Sequence, residues 1–169
     1  MKKLIIIPIL LSIFGCASSS KAFIERAKER GTPLVVSRVE VKYPNSAGGV
    51  GLRIHFTNTS NRTLKYIVFS VEPYNKVGDI APSEIGGKTL AHLQSIGPII
   101  SGEYRGDYDF GFIAYRAPTW LNVWYNHSIY CINLIGIDIT YMGGETVSFD
   151  RTSLHELMGS SVNSYVCRN

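Results

Sequence analysis

The sequence predicts an all-β chain, an immunoglobulin-like antiparallel β-sandwich of about seven strands, with a short helix at each end. Two observations carry this expectation. From Pro33 onward, apolar residues recur at every second position in successive runs, the period of a half-buried strand. Clusters of turn-forming residues, PNSAGG at 44–49, NTSNRT at 58–63 and Gly143-Gly144, punctuate those runs at short spacing. No internal repeat or coiled-coil period competes with this pattern.

In chain order, KAFIERAKERG (21–31) is a brief amphipathic helix with Phe23, Ile24 and Ala27 on one side. Gly31 stops it and Pro33 prevents its return. In PLVVSRVEVKY, Val35, Val39, Val41 and Tyr43 are expected to face inward and to alternate with Val36, Arg38, Glu40 and Lys42. VGLRIHFT repeats the pattern, with Val50, Leu52, Ile54 and Phe56 inward and Arg53, His55 and Thr57 outward. GGVG at 48–51 lacks the Lys-Ser/Thr of a phosphate loop and reads as the turn before this strand. LKYIVFSVEPY is a third strand, with Ile67, Phe69 and Val71 on one face. The region 75–101 is weakly patterned, with one short strand expected at Thr89–Ser95.

GEYRGDYDFGFIAYRA reads as a glycine-interrupted strand ended by Pro118, and 118–127 as a loop at one end of the sandwich. SIYCINLIGIDITYM is the strongest strand, with Cys131, Ile135, Ile137, Ile139 and Tyr141 on one parity. Gly143-Gly144 then suggests a two-residue hairpin turn into ETVSF. Ser153 and Glu156 have capping-box spacing ahead of a one- or two-turn helix that Gly159 can end.

The chain begins differently. Lys2 and Lys3 precede an apolar stretch from Leu4 to Phe14, the layout of a secretory leader over residues 1–15. The stretch is too short for a bilayer span, which needs roughly 20 apolar residues. Ile13-Phe14-Gly15-Cys16 resembles a bacterial lipobox, where a diacylglycerol is joined to the cysteine thiol before cleavage ahead of it. The resemblance implies lipidation of Cys16 and anchoring at a membrane. Residues 16–32 would then be lipidated cysteine, tether and helix, and 33–169 the sandwich domain. The residue just after Cys16 is Ala17 rather than an aspartate. By resemblance to lipoproteins of two-membrane bacteria, that leans toward the outer membrane.

Without its leader the chain holds fifteen Lys and Arg against thirteen Asp and Glu, a net charge near +2. Such balance, with no basic run, argues against a nucleic-acid partner. Of the three cysteines, Cys131 and Cys167 remain as a pair that could bridge in an oxidising compartment, closing a loop of 36 residues; two free thiols are the alternative.

No catalytic motif is complete. The four histidines lack metal-ligand spacing, and His155-Glu156 has Gly159 where a zinc helix needs its second His. His55 is expected to be solvated on a polar strand face. There is no G-x-S-x-G elbow. No cofactor or metal is expected. Glu103, Asp107 and Asp109 could form a carboxylate site for a hydrolase, or a solvated edge. Aromatic density is the strongest feature. Tyr104, Tyr108, Phe110, Phe112 and Tyr115 precede WLNVWYNH, in which Trp120, Asn122, Trp124, Tyr125, Asn126 and His127 are candidate glycan- or protein-binding residues. Core packing is the alternative role for these rings.

The blocks NTSNRTLKYIVFSVEPYNKVGD and WYNHSIYCINLIGIDITYM resemble bacterial extracytoplasmic β-sandwich domains of the FxLYD-like type. Asn58, Asn61, Tyr74, Asn75 and Gly78 carry the likeness, although the FxLYD tetrapeptide is absent. That group implies no enzymatic activity. The expectation is a lipid-anchored, non-enzymatic envelope protein whose sandwich binds another envelope protein or a surface glycan. A hydrolase and a purely structural lipoprotein are the alternatives.

Overall fold

The computed structural model describes residues 19–106, 117–158 and 167. Residues 1–15, expected to be a leader, lie outside the described residues, as do Cys16, Asp107, Tyr108, Asp109, Phe110, Phe112, Tyr115 and Gly159. Helix α1 (Ser19–Glu29) is followed by β1 (Leu34–Lys42), β2 (Gly49–Asn58), β3 (Leu64–Tyr74), β4 (Ala91–Ile99), β5 (Tyr104–Arg105), β6 (Thr119–Tyr125), β7 (Cys131–Tyr141) and β8 (Thr146–Asp150). One antiparallel sheet has β2 at its centre, with β1 on one side and both β5 and β6 on the other. The second has the order β4-β3-β7-β8. No helix among the described residues is long and apolar enough to cross a membrane.

The sheets share one core because their inner faces alternate as the sequence requires. Val50, Leu52, Ile54 and Phe56 of β2 and Ile67, Phe69 and Val71 of β3 are fully buried. Phe56 and Phe69 meet across the interior with ring centroids 5.6 Å apart. Each buried aliphatic or aromatic side chain contributes about 1.5–3 kcal/mol, so this layer dominates the fold's stability.

Two extra residues overturn the parities expected for β1 and β7. The register of β1 on β2 slips between Val36 and Arg38, so Ser37 is a bulge. Leu34 and Val36 therefore enter the core on one side of it and Val39 on the other, while Val35 points the opposite way. On β7, Leu134 and Gly136 oppose the adjacent Val71 and Ser70, which makes Ile135 the extra residue. Ile132 and Leu134 join the core before it, and Ile137, Ile139 and Tyr141 after it; Ile135 is half-buried.

Other differences are local. Residues 119–125 form a strand rather than a loop, because they pair with the free edge of β2 from Gly49 to Arg53. β5 pairs farther along the same edge, at Phe56 and Thr57, and the Ala117 N–H donates to the Gly106 carbonyl at 3.1 Å. β5 and β6 are thus two pieces of one edge. β4 runs to Ile99, four residues past the expected end. The β7–β8 turn holds three residues, Met142 to Gly144, closed by the Gly144 N–H on the Tyr141 carbonyl, with Gly144 at φ +89°.

At the C-terminal end, Leu154–Glu156 is one 3-10 turn instead of an α-helix, and Ser153 makes no capping bond to it. The Ser153 hydroxyl turns instead to Asp150, whose Oδ1 also accepts from the Thr152 hydroxyl and from the N–H groups of both residues. These bonds, the Thr152 hydroxyl foremost, pull the Asp150 carboxyl down to about 2. The Leu157 carbonyl accepts from the Val36 N–H at 2.8 Å, which occupies part of the outer edge of β1. Cys131 and Cys167 form the expected disulfide, with Cα atoms 5.3 Å apart.

The pole at which α1 enters the sandwich is tied together by Asn58, which is fully buried. Its Nδ2 donates to the Arg62 and Ile99 carbonyls at 2.9 and 3.0 Å, while Oδ1 accepts from the Ser60 N–H and hydroxyl. One amide thus closes the β2–β3 turn and fastens it to β4 of the other sheet. Asn58→Asp keeps the acceptor but loses both donations, so stability should fall by about 1–3 kcal/mol. A urea midpoint equal to wild type would contradict this role.

Candidate functional site

The opposite pole is made by the β1–β2 turn, the β3–β4 loop and the β6–β7 loop, and one device stiffens all three. Asn45 Oδ1 accepts from the N–H groups of Ala47 and Gly49. Asn75 Oδ1 accepts from those of Val77 and Asp79, both at 3.0 Å. Asn126 Oδ1 accepts from the N–H and hydroxyl of Ser128. An asparagine side chain that satisfies backbone two residues on sets each turn before any partner arrives. Bonds between loops add to this: Asn45 Nδ2 donates to Asn122 Oδ1, and Asn126 Nδ2 to the Pro82 carbonyl.

Between these loops lies a groove of about 640 Å³, lined by Tyr43 and Pro44, by Asn75 to Val77, and by His127 to Tyr130. Its apolar parts face water. Tyr43 is 88 % exposed, Val77 81 % and Tyr130 52 %. The Lys76 ammonium stands 5.6 Å from the centroid of the Tyr130 ring. The His127 ring lies against Gly48, where an added Cβ would come within 2.9 Å of the imidazole; Gly48 also has φ +79°, so glycine suits the position twice over.

The residues singled out from the sequence divide sharply. Trp124 is wholly buried, and Trp120 is half-buried, edge-on to Phe69 at 6.0 Å with its indole N–H donating to the Gln94 carbonyl. Both rings pack the sandwich. Asn122 is exposed at φ +53° and holds Asn45. Tyr125 is half-buried, and its backbone bonds Ser83 and Glu84. Asn126 shapes the groove and His127 lines it. Tyr43, Lys76 and Tyr130 were missed. A tyrosine directly before Pro44 and a turn cluster was the available signal, since a strand's last apolar residue can overrun the sheet that would bury it.

Of the three expected site carboxylates, Asp107 and Asp109 lie outside the described residues. Glu103 Oε2 accepts from the Ile100 N–H at 2.9 Å, and Oε1 pairs with the Arg105 guanidinium. Its acid therefore serves a turn. Among the described residues no group of three or more His, Cys, Asp or Glu could hold a metal.

His55 corrects a further expectation: it is 1 % exposed rather than solvated. Its Nδ1 lies 3.3 Å from the Tyr104 hydroxyl and its Nε2 3.5 Å from Glu40 Oε1. Glu40 also meets Arg38 at 2.8 Å and Lys42 at 3.1 Å. Burial pushes the Glu40 carboxyl up, but the Lys42 hydrogen bond and the charges of Arg38, Lys42 and His55 outweigh it, leaving the group below its ordinary 4.5. A carboxyl depressed in the folded state stabilises fully above its unfolded value and loses that contribution as pH falls through the folded one. Stability should therefore decline as pH drops below 4.5, and Glu40→Gln should flatten that decline in urea titrations between pH 6 and about 3. An unchanged acid limb would remove Glu40 from the account.

No family model matches this chain, no curated protein is similar enough to count as a relative, and no solved structure matches it.

Proposed function

We propose that this chain is a lipid-anchored, non-enzymatic cell-envelope protein whose sandwich binds another envelope protein or a surface glycan through the groove at the pole away from α1. The observation that carries the reading is the convergence of three pre-stiffened loops on exposed Tyr43, Val77 and Tyr130. Aromatic rings have few rotatable bonds and lose little conformational freedom on binding, so most of their contact energy is kept. With β5 and β6 counted as one interrupted edge strand, the sandwich has seven strands and is immunoglobulin-like in the broad sense. Loops clustered at one end of such a fold are a common place for recognition. The hydrolase reading has less support, because Glu103 is committed to Arg105 and Ile100.

The anchor rests on the lipobox-like sequence ending at Cys16, with the outer membrane as the favoured location. Mass analysis of the mature chain should find a diacylglyceryl group on Cys16, and Cys16→Ser should release the protein from membranes. In cells, a photo-crosslinker at Tyr43 or Tyr130 should capture a specific partner that the same group at exposed Ile96 of β4 does not. Equal capture from all three positions would sink the groove as the binding site.

A further inference from the structure

We propose that the groove takes an anionic carbohydrate, a sugar chain carrying carboxylates, with the Tyr43 ring as its stacking platform and the Lys76 ammonium as the partner of the acid. This rests on the groove being the binding site and names its ligand. Size is the first argument. About 640 Å³ lies within the roughly 300–1,000 Å³ of small-ligand sites.

The chemistry of the wall is the second. Tyr43, 88 % exposed, and Tyr130 offer aromatic faces, which suit the C–H face of a pyranose ring. Along the same wall, Asn75 has Oδ1 occupied by Val77 and Asp79, while its Nδ2 makes no hydrogen bond to the described residues. That amide keeps a donor to offer a hydroxyl or carboxylate. The His127 ring adds a second polar edge.

Charge decides between neutral and acidic sugars. Among the described residues that line the groove, Lys76 is the one Lys, Arg, Asp or Glu. Its position over the Tyr130 ring holds the ammonium at the groove wall. A carboxylate bound there meets the Lys76 ammonium, and a charge-assisted hydrogen bond exceeds a neutral one by about twofold.

The test uses the full mature chain in detergent and a panel of oligosaccharides bearing uronic, sialic or lactyl-ether acids, each paired with its methyl ester. Esterification keeps the sugar rings and removes the charge. At least one acid should bind about tenfold more tightly than its ester by calorimetry. Lys76→Gln should abolish that difference, Tyr43→Ala should weaken acid and ester alike by about tenfold, and Ile96→Ala should change neither. The proposal is overturned if no acid outbinds its ester, or if binding survives both groove substitutions. Specific protein capture at Tyr43 with no sugar bound overturns the carbohydrate and leaves the groove standing; absence of both overturns the two readings together.

Discussion

Trp124→Ala is expected to lower the stability of this protein by about 3–5 kcal/mol, a large share of the 5–15 kcal/mol typical of a single domain. The indole is wholly buried in the shared core, on a strand held to its sheet, among the described residues, by β2, with Val50 as its direct partner. Removing it leaves a void that neither sheet can close without breaking the β2–β6 pairing. Among the described residues Trp124 Nε1 has no hydrogen-bond partner, so Trp124→Phe forfeits no bond and should cost clearly less than the alanine. Urea denaturation followed by far-ultraviolet circular dichroism separates the two roles open to this ring. A core residue lowers the midpoint, whereas a binding residue leaves it in place. Tyr43→Ala should stay within about 0.5 kcal/mol of wild type, as exposed substitutions do. The reverse ordering of these two variants would refute the assignment of Trp124 to the core and Tyr43 to the surface.

Loss of the Cys131–Cys167 bridge should have an effect of similar size. Closing a loop of 36 residues restricts the unfolded chain enough to stabilise the fold by roughly 3–4 kcal/mol. The bridge also acts locally. The Cys167 N–H donates to the Ile132 carbonyl at 3.1 Å, and Cys131 begins β7 opposite Tyr74, the last residue of β3. Both strand ends adjoin the groove, through Asn75 on one side and Tyr130 on the other. A chain with both cysteines changed to serine should unfold at lower urea than the oxidised parent and become insensitive to added reductant. If reductant leaves the parent's midpoint unmoved after mass analysis verifies that the bond is broken, the bridge contributes nothing to stability.

The strands that were easiest to read, β2 and β3 from Ile67 onward, carry clear alternation and bury the residues it marks. β1 and β7 were equally visible as strands but misleading in facing, because Ser37 and Ile135 each insert one residue and reverse every side chain beyond it. Nothing local marks either bulge. WLNVWYNH looked like a loop, with a proline before it and asparagines within it, and became a strand because β2 had an edge to offer. The same pairing drew Trp120 and Trp124 inward and left Tyr43, Lys76, Val77 and Tyr130 to form the groove. His127 alone among the six suspected binding residues lines it.

Alternation and turn chemistry together determined that this chain is an antiparallel sandwich. These are properties of neighbouring residues, and burial of one strand face demands them whatever the partner strand. Cysteine number allowed a bridged C-terminal end, and the approach of the Cys131 and Cys167 Cα atoms to 5.3 Å made it. Which rings are core and which meet solvent was decided only when strands distant in the chain paired, since exposure depends on what lies across the interior. The groove is therefore a product of tertiary structure, built from three turns whose asparagines were plain in the sequence and whose convergence was not.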